Sequence, residues 1–395
     1  FGLSALTSLE VMVCQYYSFT TGWNSISSYI TPFDTDVEVM FAPIVDDMII
    51  MRNLTQVYWP GEEINTIGDF DNGNGYALKL TADNMFEVCG PDFVDGELMI
   101  GAGWSYIPTL SECSVNAMDL FGGNLDDIVI ITDLIGTQVF WPAQGIYTLE
   151  TLEPGKAYKA KTVNEFTVMF PECDAKATTP AFSQVNTMNT IWGDVNMTPS
   201  TEAVAFQAAA TVDFIEGDVI GAFGQNGQLY GYMTVNGAGV AQAITLFGDD
   251  VTSIDQDGFT EGETVSYKLY RAATGETYEL NVVYDNLMDN VSGNYYTGSF
   301  AAIRAITMGI TGIGTVNGGN IDMYPNPATD MVYISLSNVE NTEATVVVYD
   351  TEGRQVINQV INGQAELNVS QLEAGIYFVK INTASMNEIR KLVIK

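Results

Sequence analysis

The first half of the chain contains an internal duplication, and this feature constrains the fold more than any other. Residues 56–60 read QVYWP and residues 138–142 read QVFWP. The other matched positions are Gly-Trp at 22–23 and 103–104, Asp-Asp at 46–47 and 126–127, Tyr76 and Tyr158, and Cys89 and Cys173. The copies are offset by about 80 residues, the length of a small module. The sequence therefore predicts two equivalent domains, at residues 21–92 and 93–175, with 1–20 as a preceding strand or linker.

Each copy has the same order of segments. A Trp-containing strand comes first, then a short helical stretch, an apolar strand that ends at the aromatic-Trp-Pro corner, a Tyr-containing strand and a closing strand. The helical stretches are 36–45 and 115–122, and the later strands are 48–51, 76–80 and 85–89 in the first copy and 128–131, 157–161 and 165–170 in the second. Short apolar or alternating runs bounded by Gly, Pro and Asn are typical of strands. Each copy is predicted to be a small, mainly β module.

Four of the five tryptophans fall at matched positions of the two copies: Trp23, Trp59, Trp104 and Trp141. Because they recur where the strands recur, we expect them to be largely buried in the cores of the modules. The alternative is an exposed aromatic platform that binds carbohydrate. Both interpretations are open at this point.

The third region, 181–312, has its own pattern of hairpins. Segments 217–223 and 229–233 flank an Asn-Gly pair at 226–227, which supplies the left-handed dihedral angles of a tight turn. A second hairpin is predicted from 265–270 to 278–282. We expect a β-sandwich here. It is followed by a Gly- and Asn-rich linker at 313–320.

An acidic loop lies between these hairpins. Asp249, Asp250, Asp255 and Asp257 fall within nine positions, and Glu261 and Glu263 follow. Calcium takes oxygen ligands from closely spaced carboxylates, so the four aspartates predict a calcium site that would rigidify this region. Their spacing does not match an EF-hand. The alternative is a solvated acidic turn held by Asx hydrogen bonds.

The composition excludes several classes of function. The chain has no histidine, which removes Ser-His-Asp and Cys-His nucleophiles and His-ligated zinc. With 14 Lys and Arg against 49 Asp and Glu, its net charge of −35 repels nucleic acid. We therefore predict no enzyme activity and no nucleic-acid partner. A carboxylate-pair enzyme is the remaining catalytic alternative.

The four cysteines, Cys14, Cys89, Cys113 and Cys173, show no CxxC spacing. They predict one or two disulfides, with three complete pairings open, or alternatively buried free thiols.

No run in the sequence reaches the roughly 18 apolar residues of a membrane span. We therefore expect no transmembrane segment.

The last 75 residues carry four short motifs. They read YPNPATD at 324–330, VVVYDTEGRQV at 346–356, LEAGIYFVKI at 372–381 and KLVIK at 391–395. Alternation at 331–337 and 375–381 and a β-branched run at 344–349 predict a compact antiparallel sandwich at 321–395.

These motifs, in this order, resemble the type A C-terminal sorting domain of the type IX secretion system of Bacteroidetes. The resemblance implies an immunoglobulin-like sandwich, export through the periplasm and outer membrane to the cell surface, and contact with the translocon, its shuttle and its sortase. The repeats and the third region likewise resemble uncharacterised modules of such cargo proteins. The positions that match the sorting motifs are Pro325, Asn326, Pro327, Asp330, Gly353, Gly375, Tyr377, Lys391, Leu392, Val393, Ile394 and Lys395. The terminal strand, 388–395, is predicted to be an edge strand available for strand addition.

These observations predict a mainly β, multi-module, non-enzymatic surface or secreted protein that serves as a stalk, an adhesin or part of an extracellular assembly. A mean hydropathy of +0.10 beside the strong negative charge favours self-association, and a surface glycan is the other expected partner. The alternative is that these modules carry an enzyme or carbohydrate-binding domain that lies upstream of residue 1.

Overall fold

The computed structural model of the chain describes residues 12–91, 94–173, 187–310, 321–336, 343–351, 353–362, 364–382 and 387–395. It is mainly β, and the chain divides into two compact units, one ending at Gly309 and the other beginning at Ile310. The first unit holds the two repeats and the third region, and the second holds the tail. The linker predicted at 313–320 lies outside the described residues. No helix in the described part of the chain has the length and apolar character that a membrane crossing requires.

Module 1 contains a two-stranded ribbon, β1-β7, and a five-stranded sheet in the order β2-β6-β3-β4-β5. Its elements are β1 (Val13–Phe19), β2 (Gly22–Ile26), α1 (Val37–Met40), β3 (Met48–Arg52), β4 (Val57–Trp59), β5 (Ile64–Asn65), β6 (Tyr76–Leu80) and β7 (Asn84–Gly90), with 3₁₀ turns at Ala42–Asp47 and Pro60–Glu62. Because β1 pairs along its whole length with β7, the module begins at Val13. The boundary predicted at residue 21 is therefore wrong.

Module 2 has the same sheet order, β9-β15-β11-β12-β13, with ribbons β8-β16 and β10-β14. Its elements are β8 (Glu97–Ile100), β9 (Gly103–Pro108), β10 (Val115–Asn116), α2 (Ala117–Phe121), β11 (Ile128–Asp133), β12 (Val139–Trp141), β13 (Ile146–Tyr147), β14 (Thr151–Leu152), β15 (Ala157–Thr162) and β16 (Phe166–Met169), with 3₁₀ turns at Gly122–Asn124 and Pro142–Gln144. The two copies of the repeat thus fold in the same way.

The turn after the aromatic-Trp-Pro corner shows how closely the copies correspond. Proline starts a single 3₁₀ turn in each, and the residue that ends it has left-handed dihedral angles, with φ of 55° at Glu63 and 66° at Gly145. The backbone N–H of each donates to the carbonyl of the proline, at 3.2 Å and 3.0 Å. Glycine adopts this conformation without steric cost, whereas glutamate does not.

The cysteines form two disulfides, Cys14–Cys89 and Cys113–Cys173. Cys89 and Cys173 are matched positions of the repeat, but their partners are not. Cys14 lies on β1, directly across the ribbon from Cys89, whereas Cys113 lies in the segment between β9 and β10. Each module therefore has its own crosslink, at a different place in the fold.

The two modules contact each other through equivalent positions. The backbone N–H of Gly75 donates to the carbonyl of Tyr106 at 3.1 Å, and that of Ala157 donates to the Ser25 hydroxyl at 3.3 Å. A β-carbon on Gly75 would lie 2.4 Å from the β-carbon of Ala157. Glycine at position 75 is therefore required for this close approach.

The third region is a closed barrel rather than the expected sandwich. Seven strands in the order β19-β22-β21-β20-β23-β24-β25 close because β19 and β25 pair in parallel. Its strands, after a hairpin of β17 (Thr187–Thr190) and β18 (Gly193–Asn196), are β19 (Thr201–Phe206), β20 (Val219–Phe223), β21 (Leu229–Thr234), β22 (Gln242–Phe247), β23 (Ser266–Arg271), β24 (Glu276–Tyr284) and β25 (Phe300–Ile310), with a 3₁₀ turn at Ala208–Ala210. The local hairpins were predictable, but the parallel closure joins segments about 100 residues apart, which local patterns do not report.

The second unit contains seven strands in the order β26-β27-β30-β29-β28-β31-β32 around one apolar core. They are β26 (Ile321–Tyr324), β27 (Met331–Leu336), β28 (Glu343–Tyr349), β29 (Gln355–Asn362), β30 (Gln364–Asn368), β31 (Gly375–Asn382) and β32 (Asn387–Ile394). Among the described residues, β29 and β30 pair at Asn362 and Gln364 alone. The alternating segments of the sequence thus form the expected antiparallel β domain.

Candidate functional site

The four matched tryptophans lie between the modules and the barrel. The core of each module contains none of them. Instead, Trp23 and Trp59 belong to one apolar cluster and Trp104 and Trp141 to another, and both clusters include barrel residues. Trp23 and Trp141 are buried, whereas Trp59 and Trp104 are half-buried. The tryptophans lie instead on the outer faces of the five-stranded sheets, which are covered by the barrel. The prediction that they pack in the module cores is therefore wrong.

In module 1, Trp23 and Lys79 bind one carboxylate of the barrel. Lys79 Nζ lies 2.6 Å from Asp250 Oδ2, and Trp23 Nε1 donates to the same oxygen, also at 2.6 Å. Asp250 Oδ1 accepts from the backbone N–H and the hydroxyl of Thr252. Burial alone would raise the pKa of Asp250, but the hydrogen bonds from Lys79, Thr252 and Trp23 outweigh it and lower that pKa. Asp250 is therefore held ionised at the interface.

Module 2 repeats this arrangement with a different barrel loop. Trp104 and Lys161 face each other across β9 and β15, as Trp23 and Lys79 do across β2 and β6. Lys161 Nζ lies 2.9 Å from Asp289 Oδ2 and 4.5 Å from the centre of the Phe300 ring. Sequence reasoning missed both lysines. Part of the signal was available, since only 14 residues are basic and two of them occupy matched positions of the repeat.

A buried lysine has no equivalent in module 1. Lys159 is 4% exposed, and its ammonium group lies 4.7 Å from the centre of the Trp104 ring and 3.5 Å from the carbonyl of Thr201. Burial, with a smaller contribution from the positive charge of Arg52, lowers the pKa of Lys159 from 10.5 to about 8. In module 2, Lys159 of β15 pairs with Thr132 of β11. The matching pair in module 1 is Ala77 and Arg52, so an alanine stands where module 2 has the buried lysine.

The acidic loop does not gather its carboxylates around one point. Asp249 Oδ1 accepts from the backbone N–H of Asp257, and Asp257 Oδ1 accepts from that of Asp250, at 2.9 Å and 3.0 Å. These two bonds cross the loop, and the Asx-type bond of the alternative interpretation is the one from the Thr252 N–H to Asp250 Oδ1, at 3.0 Å. Asp250 meanwhile bonds Trp23 and Lys79, and Asp255 is exposed. The calcium site stays a prediction, which this arrangement does not favour.

Within the described residues, one group of three potential metal ligands is close together: Cys14, Glu87 and Cys89. The two sulfur atoms are joined in a disulfide, so they cannot act as thiolate ligands. This group therefore offers a single carboxylate.

The four motifs of the tail lie side by side in the second unit. The sheet order places β28, β31 and β32 next to one another. Gly375 pairs with Ile394 and Tyr377 with Leu392, and Tyr377, Leu392 and Ile394 are buried in the core. Gly353, with φ of 81°, sits in the turn after β28, where its N–H donates to Asp350. The carbonyl of Asp330 accepts from the N–H of Val369.

The Pro-Asn-Pro motif closes this arrangement against the last strand. Asn326 Nδ2 donates to the carbonyl of Lys391 at 2.7 Å, and Asn326 Oδ1 accepts from the N–H of Val393 at 2.9 Å. Ala328 adds two backbone bonds, to Val393 and Lys395. The expectation that the terminal strand has an available edge is therefore wrong for residues 391–395. The sequence showed that the four motifs are present in this order, but not that the Pro-Asn-Pro motif covers the edge of the last strand.

The comparisons with known proteins agree with the tail. The family described as "Secretion system C-terminal sorting domain" matches residues 322–395. Among curated proteins, none matches the chain. A solved structure described as "Biofilm associated protein - BSP domain" is similar over 100% of this chain and 98% of its own, at 9% identity and a TM-score of 0.16. A likeness this distant carries no argument about function.

The sorting-domain match covers the same segment in which the four motifs pack together. Such a domain directs its protein to the cell surface or the extracellular space, and it does so by interacting with the secretion machinery. The chain is a cargo protein of the type IX secretion system, with its sorting domain at residues 322–395.

Proposed function

We propose that residues 12–309 form a rigid, non-catalytic head that the sorting domain delivers to the cell surface, where the head serves in adhesion or in an extracellular assembly. One observation carries this proposal: the two modules and the barrel are joined by buried side chains and by the Trp23, Lys79 and Asp250 bonds. Independent modules on a flexible stalk would not need such an interface. Contact of the tail with the shuttle, the translocon and the sortase is part of the proposal.

The buried charges support a structural role for the head. Lys79 pairs with Asp250, Lys156 with Asp133, and Arg271 with Asp218. Catalytic groups are usually held in a cleft and left open to a substrate, whereas these side chains neutralise one another within the fold.

The export part of the proposal is tested in a host that has the type IX system. Removing residues 391–395 should trap the chain in the periplasm, because it deletes the half of β32 that pairs with β31 on one side and bonds to Asn326 on the other. Asn326→Ala keeps the terminal sequence but removes two side-chain bonds to it, so we expect reduced surface display if the machinery recognises the folded motif. Surface labelling measures both, with Asn358→Ala on β29 as the control. Normal display of the truncated chain would contradict the proposal.

The role of the head is tested on cells that already display the chain. Replacing residues 12–309 with an unrelated β domain should leave display unchanged and lower cell attachment under flow. Equal attachment by the two strains would contradict an adhesive or assembly role.

A further inference from the structure

Two neighbouring strands of the barrel, β21 and β22, share little regular pairing. β21 and β22 each have six residues, yet they pair only at Gly231 and Leu246. By contrast, β20 pairs with β21 over its whole length, Val219–Phe223. The two strands stay close beyond that pair, and the Gln242 side chain at the start of β22 accepts from the backbone N–H of Asn236, just after the end of β21.

Module 2 lies against this part of the barrel, and the two together line a cleft. The cleft has a volume of about 290 Å³, which is at the lower limit of the usual size of small-molecule sites. The barrel contributes Tyr232, Thr234, Asn236 and Gln242, and the module contributes Thr137, Gln138 and Thr148. Three of these residues carry an amide and three carry an aliphatic hydroxyl.

The lining of the cleft carries no charge. None of its ten residues is Asp, Glu, Lys or Arg, although the chain contains 49 acidic residues. Amides and hydroxyls both donate and accept hydrogen bonds, so they match groups that do the same. Tyr232 adds an aromatic ring, which is half-buried and lies edge-on to Trp192 at 6.3 Å between ring centres. Met188, Met233 and Ala243 add apolar surface, so a neutral ligand that has both hydroxyl groups and apolar faces fits this lining better than an ion.

One buried amide in the lining lacks a partner. Gln242 is 2% exposed, and its Oε1 accepts from the backbone N–H of Asn236 at 3.0 Å. That bond fixes the orientation of the amide, and among the described residues Nε2 has no hydrogen-bond acceptor. Buried amide donors are nearly always paired. This nitrogen is enclosed by the protein, so a ligand oxygen would bond to it only after the Gln242 side chain shifts towards the cleft.

We propose that this cleft binds a neutral saccharide. A sugar presents adjacent hydroxyls to amide side chains and an apolar face to an aromatic ring, and the cleft offers both. Acidic polysaccharides would be repelled by the net charge of −35. The proposal does not depend on the adhesive role of the head, because a saccharide site can be measured on the purified chain.

Isothermal titration calorimetry of the full chain tests the proposal. The neutral probes are maltohexaose, cellohexaose, laminarihexaose and mannohexaose, and alginate and polygalacturonate oligomers are the acidic ones. Gln138→Ala and Asn236→Ala remove exposed amides from the cleft, and Gln225→Ala removes an exposed amide from a barrel hairpin outside it. We expect at least one neutral probe to bind, with about tenfold weaker binding in each cleft variant and none of that loss in the control, as for other exposed polar contacts.

Several results would overturn the site. They are no binding by any neutral probe, binding by the acidic probes alone, and neutral-probe binding that is the same in the two cleft variants as in the wild type. Far-ultraviolet circular dichroism of each variant confirms that a loss of binding is not a loss of fold. If saccharide binding is found but cell attachment is unaffected by removing the head, the site stands and the adhesive role fails.

Discussion

Modules 1 and 2 use the same pair of side chains to contact the barrel, but in different surroundings. In module 1 the Lys79–Asp250 pair is nearly dry, with the Asp250 side chain 4% exposed, and Trp23 donates a second hydrogen bond. In module 2 the Lys161–Asp289 pair lies at the surface, with the Asp289 side chain 58% exposed. The duplication preserved the lysine and the tryptophan, while the barrel loops decide how strongly each pair contributes.

The physical reason is the environment of the charges. Breaking a buried ion pair leaves an uncompensated charge away from water, whereas an exposed pair is already screened by solvent. Equivalent sequence positions therefore need not have equivalent energies. The comparison predicts that equivalent mutations at the two interfaces lower the free energy of unfolding by very different amounts. The mutations below test this, from the largest expected effect to the smallest.

Removing a buried indole should have the largest effect. Trp141 is 1% exposed and packs edge-on against Phe300 of the barrel, with 5.8 Å between ring centres. We expect Trp141→Ala to lower the free energy of unfolding by about 3 to 5 kcal/mol. Its equivalent Trp59 is half-buried, so Trp59→Ala should cost clearly less. Urea denaturation of both variants measures the difference, and equal losses would show that the two corners are packed alike.

Removing each carboxylate should show that the two ion pairs contribute different amounts to the free energy of unfolding. Asp250→Ala leaves Lys79 and the Trp23 N–H without their shared acceptor, and we expect it to cost about 3 kcal/mol. Asp289→Ala removes an exposed partner and should cost less than about 1 kcal/mol. The same urea titration measures both variants. A cost for Asp289→Ala as large as that for Asp250→Ala would contradict the asymmetry.

Lys159 should make the stability of the head depend on pH, with no counterpart at Ala77. Because burial lowers the pKa of Lys159 to about 8, the unfolded chain holds a proton between pH 8 and 10.5 that the folded chain has released. Stability should therefore rise with pH in this window, by about 1 kcal/mol per pH unit at most.

The test is to measure urea unfolding between pH 7 and about 9, where tyrosines with an ordinary pKa near 10 are still largely protonated. Lys159→Met keeps a long side chain and removes the charge, so it should abolish the rise and be more stable than the wild type at pH 7. If Lys159→Met showed the same rise in stability with pH as the wild type, Lys159 would not be its cause.

Much of this molecule follows from its sequence, and the exceptions share a cause. The repeat, the strands and the tight turn at Asn226 and Gly227 are local features, and periodicity and turn residues report them. The tail motifs likewise predicted a sorting domain. The barrel closure between β19 and β25 and the docking of Asp250 onto Trp23 and Lys79 are contacts between distant segments.

Such contacts leave little trace in one sequence. An aspartate within a run of acids looks the same whether it binds an ion, caps a turn or neutralises a lysine far away in the chain. A tryptophan at a strand position is equally compatible with a module core and with an interface between modules. Only the arrangement of the modules distinguishes these cases.

The central claim is that modules 1 and 2 and the barrel behave as one body, and native-state hydrogen exchange of the full chain in increasing urea tests it most directly. The amides of β3, β11 and β22, one strand from each part, should converge on a single unfolding event with one free energy and one urea dependence. Three separate unfolding events, each with its own urea dependence, would contradict the claim and return the head to three independent modules.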